Sequence, residues 1–279
     1  DRSVLNDSMR IIALVDDLCP KGGFRGEHGL SYYIETGSAK LLFDAGQTDA
    51  LVANAETLDV DLAGVDAVAL SHGHYDHGGG LGPLFASIAP TRPVVYAGRG
   101  YSVRKWARND DGLRDIGLPE SSYPPLGSAA VEVDGLSNPF PGVFLQAGAD
   151  RPDSEAANPR FRLIDGGIER VDPFDDELSL ILEAADGIVV VTGCAHRGIV
   201  NIVKAAMGAF PGRSLSAIVG GFHLGGEPDE TLSRVAGELA ALAPKRILCG
   251  HCTGVRGYAA IREAFSGVEW LSCGMQVEL

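Results

Sequence analysis

The chain reads as an α/β protein, and three observations predict it. Short apolar, β-branched runs of strand length alternate with segments whose apolar residues recur at helical spacing. The strands fall into two groups, each with its own helices. Four of them end in histidine at their carboxyl ends, where α/β architectures commonly place their ligands.

In order, Met9 to Val15, Leu30 to Ile34 and Lys40 to Phe43 are the strands of an antiparallel start, the last two joined by a Glu35-Thr36-Gly37-Ser38 turn. Asp44-Ala45-Gly46 closes the third, and Asp49 to Thr57 has helical periodicity. Asp66 to Leu70 is a short buried strand, Leu81 to Ile88 a helix and Pro93 to Tyr96 another strand. From about Arg99 to Asp176, Pro, Gly, Asn and Asp are frequent and strands are brief (Val131 to Val133, Val143 to Leu145, Arg162 to Ile164). Residues 99–176 are therefore expected to be an inserted lid or substrate region. Regularity returns with a Leu178 to Glu183 and Ile188 to Thr192 hairpin, a Gly198 to Met207 helix and a Leu215 to Val219 strand. An Asp229 to Leu242 helix, an Arg246 to Cys249 strand and a Tyr258 to Phe265 helix complete it. The expectation is a single domain over 9–279, with Asp1 to Ser8 an upstream extension or tag remnant.

Composition narrows the function classes. With 45% hydrophobic residues in 279 the chain has ample material for a core. Its 37 acidic against 23 basic residues, net −14, argue against nucleic acid or an anionic membrane as partner. No run has the length of a membrane span and no export signal opens the chain. The five cysteines are an odd number spread widely, which favours reduced thiols and a cytoplasmic setting. Cys249-Gly-His-Cys252 has CxxC spacing, but no second CxxC accompanies it.

The chemistry concentrates in Ser71-His72-Gly73-His74-Tyr75-Asp76-His77-Gly78-Gly79-Gly80. In an extended segment residues two apart face the same way, so His72 and His74 grip one ion while Asp76 and His77 reach a second. Gly73 and Gly78 to Gly80 suit close approach and positive φ. Imidazole with carboxylate suits zinc, with iron or manganese also compatible. A single histidine here would be an ordinary loop or core residue; four such ligands in six positions make a metal site. Three later strands also end in histidine, at His196, His223 and His251, and only His28 of the seven stands outside these strand ends.

The His72-x-His74-x-Asp76-His77 motif, with Asp44 and His251 at other strand ends, resembles the metallo-β-lactamase superfamily of dinuclear metallohydrolases over nearly the whole chain. Glu27-His28-Gly29-Leu30-Ser31, Thr192-Gly193-Cys194-Ala195-His196, Gly220-Gly221-Phe222-His223-Leu224 and His251-Cys252-Thr253-Gly254 are similar to the branch of 7,8-dihydropterin-6-yl-methyl-4-(β-D-ribofuranosyl)aminobenzene 5′-phosphate synthases. The resemblance implies a four-layer αββα sandwich and two divalent metal ions, zinc first. It places His72, His74 and a third histidine on one ion, and Asp76, His77 and His251 on the other, with a bridging hydroxide. Two departures stand out: no histidine lies between His77 and His196, and no Gly-Asp ends the Val189 to Thr192 strand. Either Cys194 takes the bridging aspartate's place and His196 serves the first metal, or His196 is the usual third histidine and His223 takes the bridging position. Asp44 is expected to accept a ligand's spare imidazole N–H, or else to cap the following helix. His28 faces substrate or is structural; His223, where not a ligand, donates to an oxyanion or leaving group; Asp76 is a catalytic ligand; Tyr75 packs or acts.

The leading functional expectation is a hydrolase of a small phosphoester or related ester, a binuclear zinc phosphoesterase. The alternatives are a bond-forming pterin-type aminobenzene ribotide synthase and a catalytically weak binding or sensor protein. Arg99, Arg104, Lys105 and Arg108, interleaved with Tyr101 and Trp106, would suit a phosphorylated aromatic small molecule; their plainer reading is an amphipathic helix with a solvated face.

Overall fold

The computed structural model describes residues 9–122, 130–152 and 157–279, and the Asp1 to Ser8 extension lies outside the described residues. Two seven-stranded sheets dominate. The first runs Gln276–Glu278, Arg10–Val15, Ser31–Glu35, Lys40–Phe43, Ala67–Leu70, Val94–Gly98, Ala130–Val133 from edge to edge. Its first four strands pair antiparallel and the rest parallel, through the register Leu42↔Val68 and Val68↔Val95. The second runs Val268–Trp270, Arg246–Gly250, Leu215–Gly221, Gly187–Thr192, Leu178–Ala184, Val143–Ala147, Leu136–Phe140, parallel at the start and antiparallel from the Leu180↔Val191 hairpin onward.

Alternation along the strands explains the layers. Ile11, Ala13, Leu41 and Phe43 of the first sheet pack with Leu180, Leu182, Val189 and Val191 of the second, forming a central apolar layer between two facing sheets. The intervening Ile12, Leu14, Leu42 and Val68 point outward onto Leu51 of helix Ala50–Thr57 and Phe85 of helix Leu81–Ser87. On the far side Ile181, Val190, Ile218 and Ile247 meet Ile202, Leu239 and Ile261 of helices Ile199–Ala209, Asp229–Ala241 and Gly254–Ala264. Both faces of each sheet are covered, which is why the strands read as continuous apolar runs. The architecture is the four-layer αββα sandwich. Among the described residues no helix is long and apolar enough to cross a membrane.

Residues 99–176 contribute to each of the three sheets formed by the described residues: Ala130–Val133 to the first and Leu136–Phe140 with Val143–Ala147 to the second. A separate four-stranded antiparallel sheet joins Ile168–Val171, Phe161–Asp165, Lys105–Asn109 and Gly112–Asp115. The basic stretch around Lys105 is therefore strand, not amphipathic helix. Lys105 and Ala107 are buried on one face while Trp106 and Arg108 turn the other way, a period of two rather than 3.6. Its charges are already paired: Arg99 with Asp134, Arg104 with Asp115, Arg108 with Glu169, and Lys105 with Asp172 and Asp176.

Candidate metal centre

The Ala67–Leu70 strand delivers Ser71, His72 and His74, after which the chain turns into a single helical turn, Tyr75–Gly78, that carries Asp76 and His77. Close packing, not positive φ, demands the glycines. A Cβ on Gly73 would lie 2.0 Å from the Tyr101 carbonyl oxygen, and one on Gly80 2.0 Å from that of Ala45. Asp44, Ala195, His223 and His251 instead take left-handed φ, at 59°, 58°, 50° and 49°, local strain concentrated around the cluster.

Asp44 orients two of the rings. Its carboxylate accepts from the Ser71 amide at 2.6 Å, the Ser71 hydroxyl at 2.7 Å and His77 Nδ1 at 2.6 Å. Because the Ser71 hydroxyl hydrogen is given to Asp44, that oxygen accepts from His72 Nδ1, 2.8 Å away. His72 and His77 thus carry their protons on Nδ1 and turn Nε2 lone pairs inward. Asp44 serves imidazoles and does not cap the following helix, whose N-cap residue is Asp49.

His72, His74 and His196 form one trio, with ring centroids 4.4, 4.9 and 5.1 Å apart. Phe174 stacks on His196 at 3.9 Å, and Phe161 of the small sheet lies 5.7 Å from His74. The Nε2 atoms of all three are buried without a hydrogen-bond partner. Burial, reinforced by neighbouring imidazoles, pushes all three well below the usual histidine range, so the rings are held neutral, and in His72 the Ser71 contact leaves the lone pair on Nε2. A buried polar atom left unsatisfied costs about 1–3 kcal/mol, and a shared cation satisfies three at once. By this test the trio fits a metal ion.

The second set is Asp76, His77, Cys194 and His251. Cys194 Sγ lies 3.1 Å from His77 Nε2 and 3.3 Å from His251 Nε2; Asp76 Oδ2 lies 3.7 and 3.5 Å from the same nitrogens. Burial alone would lower His251, but Cys252, Asp17 and Asp76 outweigh it and hold the ring well above its usual range. That point of the structure favours positive charge. Cys194 Sγ also lies within ligand distance of His72 and His196 and, in a third group, of His223 and Cys252. His223 stands apart from the trio's set, grouped with Cys194 and Cys252, 4.4 Å from the His196 ring and with a buried, unpartnered Nδ1. His28 is half exposed; its Nδ1 meets Asp17 at 2.8 Å and its Nε2 lies 3.4 Å from Asp76 Oδ2. Tyr75 packs beside Phe161 and Phe174 and accepts from Arg114 at 3.0 Å.

Several carboxylates behind these rings were not foreseen. Asp17 accepts from His251 Nδ1 at 2.6 Å as well as from His28, and Asp16 accepts the His251 amide at 2.8 Å. Both follow the first strand directly, the strand-end signal that singled out Asp44. Glu177, pushed up to about 7 by burial, accepts the amides of His196 and Arg197 at 2.6 and 2.7 Å. Asp176 holds the Gly73 amide and, with Asp172, the ammonium of Lys105. A cavity of about 340 Å³ opens beside His196 and His223.

Residues 25–251 match the sequence pattern of the metallo-β-lactamase superfamily. The chain belongs to that superfamily. Within it, the chain is 28% identical over 93% of its length, and 92% of the relative's, to a 7,8-dihydropterin-6-methyl-4-(β-D-ribofuranosyl)-aminobenzene-5′-phosphate synthase of Methanocaldococcus jannaschii. It is 29% identical, with a TM-score of 0.85, to the crystal structure of Tm1679, a metal-dependent hydrolase of the β-lactamase superfamily; the match covers 97% of this chain and 99% of the other. Zn²⁺-bound PqqB of Methylobacterium extorquens shares the superfamily fold at 15% identity and a TM-score of 0.60, over 97% of this chain and all of that one.

Proposed function

We propose that this chain is a two-cation metallohydrolase of a small phosphoester or related ester. His72, His74 and His196 would hold one divalent cation and Asp76, His77 and His251 the second, with Cys194 within ligand distance of residues in both sets. The carrying observation is three buried, unpartnered Nε2 atoms on neighbouring rings beside a second donor set whose Cys194 sulfur also lies within ligand distance of His72 and His196. Two divalent ions, zinc by donor type with iron or manganese also suited, would supply hydroxide at neutral pH and electrophilic polarisation of the substrate oxygen.

The protein's own residues then have separable tasks. Asp44 keeps His77 directly, and His72 through Ser71, as Nδ1–H tautomers, and Asp17 does the same for His251. His28, tied to Asp17, steadies Asp76 from the solvent side. His223, at the cavity wall, directs its unpartnered Nδ1 to the substrate's developing oxyanion or leaving group. The small sheet, with Phe161 against His74 and His196, is the lid that keeps water out. A reducing, cytoplasmic setting suits a centre that needs Cys194 as a thiol.

The second reading, a bond-forming synthase on a pterin-type phosphorylated substrate, is favoured by the Methanocaldococcus relative that bears that name. One experiment separates them: metal-loaded protein is offered aryl phosphodiesters, lactones and nitrocefin, and separately a pterin with an aminobenzene ribotide. Turnover of an ester supports the hydrolase; condensation without any hydrolysis refutes it. A protein that takes up fewer than two metals and turns over nothing is a binding or sensor protein.

A further inference from the structure

The turn Leu271-Ser272-Cys273-Gly274, between strands Val268–Trp270 and Gln276–Glu278, packs against the loop that joins Arg10–Val15 to Ser31–Glu35. The Cys273 amide donates to the Leu18 carbonyl at 2.9 Å, the Gly274 amide to the Ala13 carbonyl at 2.8 Å and Lys21 Nζ to the Gly274 carbonyl at 3.4 Å. The first of these bonds sets Cys273 against Cys19, the residue after Leu18, and holds their Cα atoms within roughly 7 Å, the reach of a disulfide.

Both side chains turn to the same peptide. A Cβ on Gly26 would lie 2.6 Å from Cys19 Cβ, and Cys273 Sγ lies 3.7 Å from the Arg25 carbonyl. Cys19 is half-buried and reachable from solvent, whereas Cys273 is 0% exposed. Burial pushes the Cys273 thiol up to about 12, and the neighbouring Cys19 thiol adds to the rise. Both sulfurs can be spared their present bonds. Cys19 Sγ reaches the Lys21 carbonyl only at 3.9 Å. The Cys273 thiol donates to the Leu14 and Arg25 carbonyls, but Asn54 Nδ2 donates to both as well, so neither is stranded when the thiol proton leaves. Asn54 Nδ2, 3.3 Å from Cys273 Sγ, keeps a sulfur acceptor in either state.

We propose that Cys19 and Cys273 form a reversible disulfide that ties this loop to the 271–274 turn when the surroundings become oxidising. A small-molecule disulfide of the glutathione type is the oxidant. The Cys19 thiolate attacks one of its sulfurs and expels the first small thiolate; Cys273 then loses its proton, attacks Cys19 Sγ and expels the second. One protein S–S bond replaces one small-molecule S–S bond, and the two protons pass to the departing thiolates. Two protein thiols are oxidised as one disulfide is reduced. The tied loop carries Asp17 and His28, which meet His251 Nδ1 at 2.6 Å and Asp76 Oδ2 at 3.4 Å. The bridge thus fastens one wall of the metal centre from outside it, and neither thiol belongs to a donor set.

The test is thiol mapping of the full chain after equilibration in glutathione buffers of rising oxidised-to-reduced ratio, by alkylation, digestion and mass spectrometry without reductant. The expected result is a linked peptide joining Cys19 to Cys273, reversed by dithiothreitol and absent from Cys19→Ser, a change at a half-buried position that leaves the core intact. Because the bridge closes a loop of nearly the whole chain, the oxidised protein is expected to melt about 5–10 °C above the reduced one. Cys19→Ser is expected to show no such shift. Four results each overturn the proposal: both cysteines free at every ratio, Cys19 halted at the glutathione adduct, a dominant bridge through Cys194, Cys249 or Cys252, and an oxidised chain that melts no higher.

Discussion

Replacing Lys105 by methionine tests how the small sheet is anchored to the histidine loop. The Lys105 ammonium, 2% exposed, lies 2.9 Å from Asp172 and 2.8 Å from Asp176, which are themselves 1% and 2% exposed. Removing it strands two buried carboxylates, and breaking a buried pair costs about 3–5 kcal/mol. Each carboxylate keeps one backbone donor, Phe174 for Asp172 and Gly73 for Asp176, which places the loss near the lower end, about 3 kcal/mol. In urea, with a slope of about 3 kcal/mol/M, the midpoint falls by about 1 M. Because neutral, well-packed substitutes for a buried ion pair are often tolerated, Lys105→Met/Asp172→Asn/Asp176→Asn recovers most of that loss. A midpoint shift below about 0.2 M in the single variant, or a triple variant no better than the single, refutes the reasoning.

His74→Ala is expected to abolish turnover and lower bound metal, measured by plasma emission after dialysis, whereas Cys252→Ala leaves both. Intact activity in His74→Ala overturns the site assignment. Asp17→Asn, which disturbs the 2.6 Å contact to His251 Nδ1, is expected to weaken the second cation by about 10- to 100-fold in chelator competition and to spare the first. Gly73→Ala drives a Cβ to 2.0 Å from the Tyr101 carbonyl and is expected to lower the melting temperature and metal content together. Exhaustive chelation of the wild type is expected to lower its melting temperature in proportion to the logarithm of free metal over its dissociation constant, as scanning calorimetry at stepped zinc concentrations would read.

Much of this architecture is legible in sequence where burial is two-sided. Lys40 to Phe43 forms a strand with those bounds, and the expected Leu178 to Thr192 hairpin forms, each strand one residue longer at the turn, because unbroken apolar runs leave few alternatives. The small sheet escaped notice since Lys105, Trp106 and Arg108 mix charge with bulk, and its partner strand at Phe161–Asp165 begins over fifty residues later. In the site, the local cluster His72 to His77 announces itself, while Asp17 and His251 meet across 234 residues with nothing but ordinary residue types to signal it. Cys194 and His223 were inseparable as bridging candidates because both follow strand ends that lie side by side, Thr192↔Gly220. Only the three-dimensional path, with left-handed turns at Ala195 and His223, brings the sulfur within ligand distance of His72, His77, His196 and His251 and the imidazole to the cavity wall.

The centre draws His72, His74, Asp76 and His77 from one sheet and Cys194, His196 and His251 from the other, and the first strand pairs with the last, Arg10 against Glu278. A chain emerging from the ribosome therefore carries half a claw for most of its synthesis. The histidine loop is made early but lacks Cys194 and His196 until the Gly187–Thr192 strand has been made and His251 until Arg246–Gly250 has followed, and the opening strand lacks its outer neighbour until Gln276–Glu278 is made. On the proposed reading, a ribosome-bound intermediate ending before Arg246 would have the His72, His74 and His196 set but lack His251, and would be expected to take up no second cation.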